Sequence, residues 1–359
     1  HDFTLPLTPS LPVTASFRNA HVDDDGEDVF AVSRDKYWRV ADQLLRHRIA
    51  PAEMLADFTR WQGDKPDFTL ADQALARAEM FGVNPKALML ASEAQLAHMN
   101  DPVRKLGIAQ RHWRQRLGET LAPVFASDRS WDIEGLPPRM LKQSLITVDE
   151  AWGVRPEIEP FGTWAVDLGT ATGTILTGET GGFDVRQAAR EGEVRLAWDG
   201  VLGIGSARPM DWRMAGWIAW KHKIPMLVFP GSAHDMAPPD WVAGSLLHAG
   251  RGGDGPVYDP PLPTMDLEML RDGLEDYEYL KLLSSLNWRL RQVSGSRENP
   301  RLARENSWLF RRNDELIENA VSYTDDPEVL MRWRDRVATQ VERTRAALRV
   351  HGEEGLPGD

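Results

Sequence analysis

Glu193-Val194-Arg195-Leu196-Ala197-Trp198, then Trp212-Arg213-Met214-Ala215-Gly216-Trp217-Ile218-Ala219-Trp220-Lys221, then Pro225-Met226-Leu227-Val228-Phe229 form the passage that decides the fold. The outer segments are short and apolar, the length of buried strands, and the middle one reads as a helix. Two strands joined in this way run parallel in one sheet, because a parallel pair needs a crossover of about a dozen residues or more. The same alternation continues on both sides. Upstream, Leu11 to Phe17 reads as a strand, and Ser33 as the N-cap of a helix carrying Tyr37, Ala41, Leu44 and Leu45 on one face. A helix from Thr69 to Phe81 stops at Gly82, Lys86 to Leu90 is an apolar strand, and a helix through Arg104 to Leu121 leads to the strand Ser144 to Val148. Gly173 to Thr177 is another strand, and Val185 to Arg190 is helical.

About eight such βα units in about 250 residues make a TIM-type (β/α)8 barrel, here expected over residues 11 to 262. Only 47 residues separate Glu150 from Trp198, so the barrel is expected to be abbreviated or irregular there. Beyond Pro263 the pattern is helical, giving a C-terminal extension over 263–359. Thr264 caps a helix with Leu267, Leu270, Leu274, Tyr277 and Leu280 at spacings of three and four. Asp326 at the N-cap and Pro327 at N1 open the last helix, whose stripe is Leu330, Trp333, Val337, Val341 and Leu348.

The chain has 359 residues and a formal charge of −12. That surplus of acid disfavours nucleic acid and anionic membrane as partners, since phosphate binding needs a basic surface. No apolar run approaches the roughly 20 residues of a membrane span. The absence of Cys excludes disulfides, thiolate catalysis and Cys-ligated zinc. Fourteen Trp are an unusual number, and a flat apolar face with one N–H donor suits core packing and stacking on sugar rings alike.

Most metal and nucleotide chemistries lack their residues. His21 to Val32 has Asp23, Asp25 and Gly26 at calcium-loop spacing, but His21 stands first and Val32 twelfth where Glu is needed. Gly203-Ile204-Gly205 has Arg208 in place of the third glycine of a dinucleotide fingerprint. The nine His show no paired metal spacing, and His234-Asp235 reads as loop. Neither a metal nor a cofactor is expected.

The most distinctive segment is Arg271-Asp272-Gly273-Leu274-Glu275-Asp276-Tyr277-Glu278-Tyr279-Leu280, preceded by Gly253-Asp254-Gly255-Pro256-Val257-Tyr258-Asp259-Pro260. By itself it is an amphipathic helix whose Gly273 costs about 1 kcal/mol against Ala, which close packing on another backbone would explain. The pair of motifs resembles the C-terminal part of glycoside hydrolase family 123 and its relatives. Arg213 with Gly216-Trp217-Ile218-Ala219-Trp220 looks like that family's Arg-x-x-Gly-Trp-x-x-Trp helix, and Phe3 to Leu11 like its passage out of an N-terminal β-sandwich. The resemblance is dense from about Trp198 to Leu283. It implies that residues 1–10 are a linker from a preceding sandwich and that the protein is secreted or at the cell surface, a location with which the absence of an initiator Met before His1 agrees.

Asp149-Glu150 carries the chemistry. The pair ends the strand Ser144 to Val148, and barrel enzymes place catalytic groups at the C-terminal ends of strands. Strand neighbours point to opposite faces, so both acids serve one substrate only where the strand has ended. The resemblance implies a β-N-acetylgalactosaminidase-like hydrolase in which the sugar's 2-acetamido oxygen attacks the anomeric carbon, Asp149 orients that group and Glu150 protonates the leaving oxygen. Substrate-assisted enzymes of this kind depart from the usual two-carboxylate scheme. Ala151 stands where the family has Pro, and Phe229 where it has Trp.

Trp152, Trp198, Trp217 and Tyr258 are candidates for stacking on sugar faces, with Phe229 at the strand end beside them. Asp199 is a candidate for binding a sugar hydroxyl, or a turn residue before Gly200. Arg213 is a candidate for a substrate hydroxyl or acidic substituent, or for a buried salt bridge with a motif carboxylate. Two other functions stay open: a barrel that binds carbohydrate without cleaving it, and a glycosidase for a sugar without an acetamido group, with Glu179 or Asp199 as nucleophile.

Overall fold

The computed structural model describes residues 3–15, 30–51, 54–85, 88, 90, 100, 102–118, 125–126, 164–167, 171–176, 194–198, 209–222, 226–229, 246–250, 257–293, 299–311, 313–318 and 323–352. In chain order the elements are β1 (Val13–Ala15), α1 (Phe30–Arg46), β2 (Ala50–Pro51), α2 (Met54–Phe58), β3 (Arg60–Gln62), β4 (Lys65–Asp67), α3 (Thr69–Glu79) and α4 (Pro102–Leu117). There follow β5 (Phe125–Ala126), β6 (Trp164–Asp167), β7 (Ala171–Leu176), β8 (Val194–Trp198), α5 (Pro209–His222) and β9 (Met226–Phe229). The last are β10 (Leu247–Gly250), β11 (Val257–Pro263), α6 (Met265–Gln292), α7 (Asn299–Arg311) and α8 (Pro327–Val350).

Seven strands form one sheet in the order β2-β1-β9-β8-β7-β6-β5. β7, β8, β9, β1 and β2 run parallel, and β6 and β5 join antiparallel. The unit β8-α5-β9 is the parallel crossover that its alternating pattern predicts. β1 sits between β2 and β9, with Val13, Thr14 and Ala15 in register with Leu227, Val228 and Phe229. Among the described residues the sheet is open, with β2 and β5 at its edges. The expected strand Ser144 to Val148, the helical stretch Val185 to Arg190 and the acidic loop after Ala20 up to Asp28 lie outside the described residues.

Two local expectations need correction. α1 begins at Phe30, three residues before the expected cap Ser33, because no Gly or Pro between them halts the helix. Leu88 and Leu90 are buried but belong to no strand. Lys86 to Leu90 has no β-branched or aromatic side chain to fit a pleated surface.

The helical part is built as its end signals require. Thr264 caps α6 by accepting from the Leu267 N–H at 3.3 Å, while its hydroxyl donates to the Leu246 carbonyl at 3.0 Å. Asp326 caps α8 by accepting from the Glu328 N–H at 2.8 Å, with Pro327 following it. α6 packs against α5, α7 and α8, and its leucines run on into a core that includes β1, α1, α3 and α4. A polar layer crosses the outer helices: Asn306 on α7 donates to Thr344 Oγ1 on α8 at 2.9 Å and to Asn287 Oδ1 on α6 at 3.3 Å.

Residues 3–10, expected as a linker, lie as a strap over this body. Arg48 donates to the Pro6 carbonyl at 3.1 Å and Asn84 to the Pro9 carbonyl at 3.0 Å. The Ser10 N–H donates to Glu278 Oε1 at 2.5 Å, and the Phe3 ring meets Tyr279 edge-on at 5.0 Å. Gly82, with φ of 75°, passes so close that a Cβ there would stand 2.5 Å from the Leu7 carbonyl oxygen. Only glycine meets both demands.

Candidate functional site

The C-terminal edge of the parallel strands collects two of the expected site residues. Trp198 is the last residue of β8 and Phe229 the last of β9, and these strands are adjacent, with Trp198 in register with Leu227. Leu176 ends β7 one strand further on, in register with Trp198. Loops leaving this edge are where parallel α/β sheets bind ligands. Asp199 follows Trp198 directly, but Asp199, Asp149, Glu150, Ala151, Trp152 and Glu179 all lie outside the described residues. Tyr258 lies on β11, in the separate β10-β11 hairpin, so the sheet does not join it to Trp198 and Phe229.

Arg213 and Trp217, one helical turn apart on α5, are brought together by Asp276 of α6. Arg213 donates through Nε to Asp276 Oδ2 at 2.9 Å, through Nη2 to Oδ1 at 3.3 Å and through Nη1 to Asp272 Oδ2 at 2.6 Å. The Trp217 indole N–H donates to Asp276 Oδ2 at 3.0 Å, and Arg334 of α8 pairs with Oδ1 at 3.0 Å. Asp276 is fully buried. Burial pushes its carboxyl above the usual carboxylate range, and Arg213, Arg334 and the indole N–H pull it back. Both oxygens already accept two donors, so Asp276 has no lone pair to offer a substrate. It holds three helices together instead.

This geometry corrects two expectations. Trp217 is 1% exposed, its indole spent on Asp276, so stacking on a sugar is closed to it in this arrangement. Arg213 is 5% exposed, and its guanidinium is taken up by Asp272 and Asp276. The alternative of a salt bridge with motif carboxylates is the one realised. Steric fit goes with it: a Cβ on Gly216 would stand 1.9 Å from the Gly273 carbonyl oxygen, and one on Gly273 would stand 2.3 Å from that of Arg213. The two glycines let the α5 and α6 backbones touch, which accounts for Gly273 inside a helix.

Sequence reasoning missed Arg334. Its only signal is its place beside Trp333 and Val337, on the flank of the α8 stripe, where a long side chain can reach inward. Glu278 was not singled out either. Burial pushes its carboxyl upward, opposed by the Ser10 N–H that it accepts.

Among the described residues no group of three or more His, Asp or Glu is placed to hold a metal ion, and no helix is long and apolar enough to cross a membrane. Compared with models of known protein families and with curated proteins, the chain matches none.

Proposed function

We propose that the protein is a glycoside hydrolase acting on a β-linked N-acetylhexosamine, with the substrate's own acetamido group as nucleophile. The observation that carries this is the ending of β8 and β9, side by side and parallel, in Trp198 and Phe229, at the edge where such sheets receive ligands. Support also comes from the two segments that resemble family 123, around Gly216 and Gly273, which pack backbone to backbone as parts of one unit. The carbohydrate partner, the barrel closure and the roles of Asp149 and Glu150 belong to this proposal.

In the proposed reaction the acetamido oxygen forms a bond to the anomeric carbon as the bond to the leaving oxygen breaks, and Glu150 gives that oxygen its proton. The negative charge of Asp149 stabilises the positive oxazolinium-like ring. Water then adds to the anomeric carbon, yields its proton to Glu150 and regenerates the acetamide. Trp152, Trp198, Phe229 and Tyr258 supply apolar surface for the sugar ring, and Asp199 a hydroxyl partner.

The test is hydrolysis of nitrophenyl glycosides that include β-GalNAc and β-GlcNAc. Glu150→Gln is expected to slow a substrate with a poor leaving group by about 10² to 10⁴ and an activated aryl glycoside far less. Equal losses on both would remove Glu150 as the acid. Inhibition by an N-acetyl-sugar thiazoline separates the mechanisms. Turnover without inhibition, extending to sugars with a 2-hydroxyl, means a conventional pair of carboxylates, and sugar affinity without turnover means a binding module.

A further inference from the structure

Far from the sheet edge in sequence, α7 and α8 enclose an open groove of about 810 Å³. That volume falls in the range of small-ligand sites, roughly 300 to 1,000 Å³. We propose that the groove is a second carbohydrate site, one that takes an oligosaccharide bearing carboxylates.

An aromatic platform is the first of three observations. Trp308 is 50% exposed and lies stacked against the buried Trp333, with ring centroids 6.4 Å apart and planes 17° apart. The Arg336 guanidinium covers the Trp333 ring at 5.2 Å, so the pair is braced from within. An exposed large aromatic face held in place by a buried one suits the apolar C–H face of a pyranose.

Charge is the second. Arg301 pairs with Glu305, which also pairs with Arg343. Among the described residues Arg304 and Arg336 have no carboxylate partner: Arg304 donates only to the Pro300 carbonyl, and Arg336 meets only the Trp333 ring. Arg301, Arg304 and Arg336 stand against Glu305 and Asp335 on the lining, an excess of one positive charge in a chain of net charge −12, and Arg304 and Arg336 are the guanidiniums left for an anion. The planar guanidinium fork matches a carboxylate in geometry.

The third is a pair of polar side chains. Gln340, which lines the groove, brings an amide that can donate and accept hydrogen bonds. Thr339 adds a hydroxyl at the same wall. A stacking face, two guanidiniums and polar side chains on the wall together describe an acidic sugar better than a neutral one or a peptide.

Binding to the full chain is measured by isothermal titration with trigalacturonate and with neutral galactotriose. The acidic trisaccharide is expected to bind about tenfold tighter or more, the worth of one charge-assisted hydrogen bond. Trp308→Ala should weaken it by about tenfold, and Arg336→Gln should bring the acidic sugar down to the neutral one. Trp288→Ala, another exposed Trp outside the groove, should bind as the parent does. Where Trp308→Ala fails to fold by circular dichroism, Arg336→Gln decides. No binding, equal affinity for both sugars, an unaffected Arg336→Gln, or loss of binding in Trp288→Ala would each overturn the proposal. The site stands apart from the hydrolytic reaction, since binding is read without turnover.

Discussion

Helices α6 and α8 are long neighbours, of 28 and 24 residues, buried on different plans. α8 buries Leu330, Trp333, Val337, Val341 and Leu348 along one stripe and leaves its far side to solvent. α6 buries Asp276 and Glu278, two residues apart and therefore about 200° apart around the helix, at 0% and 2% exposure. One side of α6 faces the guanidiniums of α5 and α8, and the other faces the N-terminal strap. A helix with one apolar neighbour is specified by its own periodicity. A helix enclosed on opposite sides is specified by partners that its own sequence does not contain.

That contrast is open to mutation. Removing the hub, as in Asp276→Ala, leaves Arg213 and Arg334 buried without their shared carboxylate and should cost about 3 to 5 kcal/mol in urea unfolding. A loss under about 1 kcal/mol, the level of an exposed pair, would show that the network is not what locks α6 in place. Next in size is Gly273→Ala. Its new methyl meets the Arg213 backbone, which cannot swing aside, so about 2 to 3 kcal/mol should be lost despite the better helix propensity of Ala. A stabilised Gly273→Ala protein would deny the backbone contact. On α8, Asp326→Ala removes one cap and should lower the unfolding free energy by only about 1 kcal/mol. A cost equal to that of Asp276→Ala would erase the contrast between the helices.

Legibility in the sequence follows the same division. The caps Thr264 and Asp326 and the stripe of α8 are local signals, and the structure carries them as predicted. β3 and β4 gave no signal, since each has three residues with the middle one half-buried. Asn306 hides the amphipathic face of α7, because it is fully buried yet polar, and only Thr344 and Asn287 on other helices explain it. At the sheet edge, the apolar runs ending in Trp198 and Phe229 were legible because strand length and crossover length are local. The carboxylates of Asp272 and Asp276 were readable as one face, being four residues apart, and with them a partner for Arg213. Arg334 was not, since nothing around position 334 names the acid that it meets.

The pairing of β1 with β9 also sets a timetable. β1 is made before its sheet neighbour: Leu227, beside Val13, follows more than two hundred residues later, and Glu278, which receives Ser10, later still. At ribosomal rates of 5 to 20 residues per second, β1 waits roughly 10 to 40 s for its neighbour. Throughout that interval one side of a buried strand has bare N–H and C=O groups and nothing to pair with, a template for adhesion between nascent chains. The growing polypeptide is therefore most in need of a chaperone before β9 has left the exit tunnel, and a synthesis pause after that point would lengthen the exposure of the strap, not of the strand.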